Sequence, residues 1–138
     1  MKSCQVFIKG DIAFVFTQST TRSGIGLTTE PMLKVSTASL KDLGDAVRTC
    51  LDASKRDIPD PIDFSPKAIL CFAGEKSWKR FVSGATLRAI WLDNSGAKIV
   101  SYDPAERGSF ELREDLSKAC PLEPPEELGR AILASAQS

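Results

Sequence analysis

Over its first forty positions the chain gathers apolar residues into short runs rich in β-branched and aromatic side chains. QVFIK (5–9) and IAFVFT (12–17) read as strands, with Gly10-Asp11 between them as a tight turn. The polar stretch TQSTTRSGIG (17–26) reads as a longer hairpin loop. Residues 26–29 and 32–36 fit two more strands, broken at Pro31 because proline has no N–H to give a ladder. The period then lengthens. Leu40, Leu43, Val47, Cys50 and Leu51 recur at helical spacing behind Ser39, a natural N-cap with Asp42 at the capping-box position. This helix fades near Ser54-Lys55, before the proline-rich join RDIPDPIDF (56–64).

The second half repeats the plan after a less regular start. Ser65-Pro66 would open a helix over KAILCFA (67–73) and Gly74 would stop it, but the apolar run 68–72 fits a buried strand equally well. SWKRF (77–81) makes a short helical turn with Trp78 and Phe81 on one side. TLRAIWL (86–92) sets Leu87, Ala89 and Trp91 against Arg88, Ile90 and Leu92; a turn at 93–96 leads to KIVSY (98–102). SFELR (109–113) alternates Phe110 and Leu112 inward with Glu111 and Arg113 outward. Pro124-Pro125 opens a last helix whose apolar face is Leu128, Ala131, Ile132 and Ser135, with Glu126 and Glu127 at its positive end.

Both helices carry the phrase LGxA, at Leu43 to Ala46 and at Leu128 to Ala131. A glycine inside a helix costs about 1 kcal/mol relative to alanine, so meeting it twice at one place implies a close approach of backbones there. The fold class expected is α+β: an antiparallel sheet with two packed helices, built as pseudo-repeated strands-then-helix halves, 1–56 and 64–138, of a single domain.

Composition narrows the function. The chain has 138 residues, 42% of them hydrophobic, and its 18 basic and 18 acidic residues cancel. A protein built to grip phosphates carries a basic excess, so nucleic acid is disfavoured as partner. The charge falls in blocks, +4 over 64–98 and −4 over 99–138, which read either as ordinary solvated faces or as one acidic face suited to a basic partner. There is no histidine, hence no imidazole base, and Cys4, Cys50, Cys71 and Cys120 are too scattered for zinc. Asp57, Asp60 and Asp63 sit among prolines as solvated linker, and SGIG (23–26) lacks the lysine of a phosphate loop. No catalytic, cofactor or metal site is expected. With neither signal peptide nor membrane-length apolar run in view, the cytoplasm is the expected compartment.

Three pieces in order, Ser39 to Ala46, the KSWKRF stretch from Lys76 to Phe81, and EELGRA from Glu126 to Ala131, resemble one known family. It is that of the bacterial contact-dependent growth-inhibition immunity proteins, once described only as a domain of unknown function. The resemblance covers most of the chain. It implies a non-enzymatic inhibitor that binds the C-terminal toxin domain, often a nuclease, of a cognate effector inside the producing cell. The helix end Asp52-Ala53-Ser54-Lys55 and the short loop over 21–26 depart from the pattern, so no toxin type is assigned. Against a basic substrate cleft an inhibitor should present carboxylates, and the most acidic outward stretch is Glu106, Glu111, Glu114 and Asp115 around the last hairpin. An exposed sheet edge could accept a strand from the toxin as well. The rival reading is a single-stranded nucleic-acid binder, in which Lys76, Lys79 and Arg80 hold phosphates while Trp78 and Phe81 stack bases. As a core pair at i, i+3, the same aromatics would merely anchor the turn.

Overall fold

A computed structural model describes residues 1–61 and 66–136. Six strands form one antiparallel sheet in the order β3-β2-β1-β4-β5-β6. They are β1 (Lys2–Lys9), β2 (Ile12–Thr20), β3 (Gly26–Ser36), β4 (Thr86–Asp93), β5 (Gly96–Pro104) and β6 (Phe110–Cys120). The helices are α1 (Leu40–Ala53), α2 (Lys67–Ala73), α3 (Trp78–Val82) and α4 (Pro125–Ala136). The α+β antiparallel architecture expected from the sequence is the one observed.

The repeat is closer than the sequence shows. Adding 84 to the bounds of β1, β2 and β3 gives the bounds of β4, β5 and β6. The central pair runs from Lys2↔Leu92 to Ile8↔Thr86, so a two-fold axis between β1 and β4 exchanges the halves. Each half interrupts its outer ladder at the same point, between Phe16 and Thr17 in β2 and between Ile99 and Ser101 in β5.

One face of the sheet carries α1 and α4. Val6, Val15, Ile90 and Ile99 point into it and meet Leu43, Val47, Cys50, Leu128 and Ile132 in one buried cluster. Each fully buried leucine or isoleucine there contributes roughly 1.5–3 kcal/mol. Ser39 caps α1 as expected, its hydroxyl accepting the Asp42 N–H at 3.2 Å. The two LGxA glycines sit where the helices cross. An ideal Cβ on Gly44 would fall 2.6 Å from the carbonyl carbon of Pro125, and one on Gly129 would fall 3.0 Å from that of Leu40. Leu40 precedes Gly44 by one turn, and Pro125 precedes Gly129 by one turn. Each helix thus lays its first turn into the notch left by the other's missing side chain.

The opposite face is aromatic. Phe7, Phe14, Phe16 and Leu87 are covered by Phe81 and Val82 of α3, with Ile69, Leu70 and Ala73 of α2 half-buried around them. Residues 67–73, open between helix and strand in the sequence, are helical. Gly74 closes the turn in the left-handed region (φ +73°), and its neighbour Glu75 donates to the Leu70 carbonyl at 3.0 Å. The expected cap Ser65 lies outside the described residues.

Three expectations from the sequence are corrected. β2 runs on to Thr20, through residues expected as loop, because residues 26–29 of β3 pair with it and the chain after α1 bonds its end: Thr20 donates to Lys55 and accepts from Ile58. Pro31 does not split β3; Thr17 pairs with Thr29 and Phe16 with Met32, so the proline sits in a bulge within one strand. β6 extends to Cys120, and Leu112, expected inward, is 40% exposed, because α2 and α3 reach Phe110 but not beyond it.

Arg88 is only 7% exposed, on the α1/α4 face of β4. Its guanidinium donates to the carbonyls of Leu87 (2.7 Å), Tyr102 (3.3 Å) and Ser135 (2.8 Å). The last turn of α4 has no basic residue of its own, so Arg88 brings the positive charge that a helix C-terminus favours. Arg88→Ala is expected to lower the unfolding free energy by about 2–3 kcal/mol, through lost charged hydrogen bonds and a cavity. Arg88→Met, which keeps the apolar stem, should cost less. Urea unfolding followed by circular dichroism checks both.

Candidate partner-binding surface

The four carboxylates singled out in the sequence share one rim of the molecule. Glu111, Glu114 and Asp115 lie on the edge strand β6, Glu106 lies on the turn that leads into it, and all four are exposed. That turn is built by short-range bonds: Ala105 donates to Ser109 at 2.8 Å, and the Ser109 hydroxyl donates to the Glu106 carbonyl at 2.7 Å. It is also tied to the core. The indole Nε1 of Trp78 donates to the Gly108 carbonyl at 2.8 Å, where Gly108 adopts φ +75°. A side-chain anchor on α3 therefore sets where Glu106 stands.

β6 is bulged in the middle. Arg113 pairs with Ser101 and Lys118 with Ile99, so residues 114–117 face only Val100 across the ladder. Arg113 organises the acids beside this bulge. It grips Asp115 through Nε and Nη2, at 3.0 and 2.9 Å, and donates from Nη1 to Asp103 at 2.5 Å. The two-pronged grip holds the Asp115 carboxyl below the usual carboxylate range and keeps it ionised. Asp103 and Asp115 thus share one cation. No ion pair with Glu106, Glu111 or Glu114 occurs among the described residues. Sequence reasoning missed Arg113 as the organiser; its spacing of two from Asp115 on a strand was the available signal.

Two further features of this rim were not foreseen. Leu112 and Leu116 are 40% and 41% exposed, two large apolar side chains on one strand among carboxylates.

The other candidates resolve as structure. Phe81 is fully buried, in ring contact with Phe7, Phe14, Phe16 and Trp78, so it is a core anchor and offers no stacking face. Asp60 accepts from the Ser23 hydroxyl at 2.8 Å, which holds its carboxyl below the usual range and ties the join to the β2–β3 loop. Asp63 lies outside the described residues. The four cysteines are unpaired, and burial pushes the Cys4 and Cys50 thiols up, that of Cys120 to about 11. A groove of about 610 Å³ beside α2 is lined by Gln5, Gln18, Thr28, Glu30, Ile69 and Trp78 among others. Among the described residues no helix is long and apolar enough to cross a membrane, and no three potential ligands gather as a metal would need.

No family profile and no curated protein matches the sequence. The fold does match solved structures over 99% of this chain. One is a protein of unknown function from Neisseria meningitidis, with a TM-score of 0.78, 15% identity and 93% of that chain covered. Another is the CdiA-CT/CdiI toxin and immunity complex from Yersinia pseudotuberculosis, with a TM-score of 0.76, 17% identity and 95% of the matched chain covered. At these identities the likeness establishes a shared fold along nearly the whole length of each chain.

Proposed function

We propose that the protein is an immunity protein, which binds the C-terminal toxin domain of a cognate contact-dependent growth-inhibition effector one-to-one and holds it inactive. The observation that carries this reading is the fold's match, over 99% of the chain, to a structure from a toxin and immunity complex. It agrees with the resemblance read from Ser39 to Ala46, Lys76 to Phe81 and Glu126 to Ala131. The rim of Glu106, Glu111, Glu114 and Asp115 is the proposed toxin-facing surface. A nuclease toxin carries a basic cleft for phosphates; carboxylates held at a rigid edge compete for it and speed the encounter. Because Arg113 already neutralises part of Asp115, the steering charge rests chiefly on the three glutamates.

The test is calorimetric titration against the toxin domain encoded just upstream, with toxin activity assayed alongside. Nanomolar one-to-one binding that abolishes activity is expected. Replacing Glu106, Glu111 and Glu114 together by glutamine should slow association about tenfold at low salt and less at high salt. No toxin binding, with salt-sensitive binding of a single-stranded oligonucleotide instead, would overturn the reading in favour of a nucleic-acid binder.

A further inference from the structure

An edge strand of eleven residues is normally an open invitation to another strand. β6 withdraws that invitation in its middle, where residues 114–117 bulge away from the regular ladder. What the bulged stretch presents is side chains. Leu112 stands just before it and Leu116 within it, each about two-fifths exposed, with Glu111 and Glu114 nearby in sequence and the Glu106 turn leading into the strand. Single exposed leucines are ordinary on a protein surface. Two exposed leucines stand on one edge strand, four residues apart, close in sequence to Glu111 and Glu114, which make no ion pair among the described residues.

Resting on the immunity reading, we infer that Leu112 and Leu116 are the apolar anchors of the toxin-facing surface. The toxin docks there with apolar side chains flanked by lysine or arginine, read by side chains and not by strand addition across the bulge. Charge selects this occupant: Glu106, Glu111 and Glu114 stand exposed on this rim with no ion pair among the described residues, so a basic partner is drawn in and a second acidic copy of the same rim is repelled. The division of labour follows. Leucines that lose water at the centre of a contact hold the complex together and act on dissociation. Carboxylates at the margin act on association.

The experiment compares two surface variants, Leu112→Ser/Leu116→Ser and Glu111→Gln/Glu114→Gln, by binding kinetics with the toxin domain. The leucine variant should dissociate on the order of 100-fold faster with little change in association, and the glutamate variant should associate about tenfold more slowly with little change in dissociation. An unchanged melting temperature shows that each variant is folded. If the wild type binds and the leucine variant dissociates like it, the inference falls while the immunity reading stands. A synthetic peptide of alternating leucine and lysine is the second probe, followed by NMR shifts. Shifts centred on residues 110–117 and lost in the leucine variant are expected. Shifts elsewhere, or self-association of the wild type that the leucine variant abolishes, would overturn the inference. A wild type that takes the peptide at β6 but not the toxin domain keeps the surface and removes the immunity reading.

Discussion

Alanine at Gly44 or at Gly129 is expected to lower the unfolding free energy by about 3 kcal/mol or more, reversing the sign that helix propensity alone would give. On a free helix the change would stabilise by about 1 kcal/mol. Here the added methyl would meet the main chain of the opposite helix, Pro125 or Leu40, where no rotamer change can make room. The helices must separate, and their separation lifts Leu43, Val47, Leu128 and Ile132 off one another and off the sheet. The double variant Gly44→Ala/Gly129→Ala should cost less than the sum of the singles, because a crossing already opened by one methyl has room for the second. Urea unfolding of the three variants, followed by far-ultraviolet circular dichroism, decides the matter. Stabilised single variants would show that the crossing is not as tight as described.

Phe81→Ala should cost about 3–5 kcal/mol, the range for deleting a fully buried aromatic ring. Phe81 touches the rings of Phe7, Phe14, Phe16 and Trp78 and is the chief side chain by which the five-residue α3 holds to the sheet. Phe81→Leu, which preserves most of the volume, should cost less than about 1.5 kcal/mol. The alanine variant should also lose near-ultraviolet dichroism as Trp78 loosens, and its thermal melt gives the stability change. A small effect on stability with a loss of oligonucleotide binding would instead mean that the ring is a stacking platform.

Phe81 also shows where the sequence was legible. Its spacing of three from Trp78 pointed to a core pair, and that holds. The LGxA phrase likewise announced a close helix crossing, because a glycine at a buried helix position has few other physical reasons. Ser39 and Gly74 marked their helix ends because capping is chemistry local to a few residues. What could not be read depended on contacts distant in sequence. β2 extends to Thr20 because residues 26–29 of β3 pair with it, and Lys55 and Ile58 return to bond its end. Leu112 follows an inward alternation that no helix arrives to cover. The register shifts depend on two strands at once, so a period within one strand does not announce them. Of the candidate rim, the four carboxylates could be named from local charge. Arg113 bridging Asp103 and Asp115 requires knowing that β5 and β6 lie side by side.

At the β1–β4 seam and at the helix crossing the halves meet through surfaces that are equivalent to each other. β1 offers β4 what β4 offers β1, and the notch at Gly44 receives Pro125 as the notch at Gly129 receives Leu40. Between separate molecules such a contact is isologous: one self-complementary patch, used twice. A gene of half this length would already encode the whole of that contact in the geometry of a homodimer. To that contact a single chain adds only the effective concentration that tethering confers, while the joining segment adds the aromatic cover of α2 and α3. The single chain then leaves each copy free to change alone, and it is the second copy whose outer strand carries the acidic, leucine-studded rim.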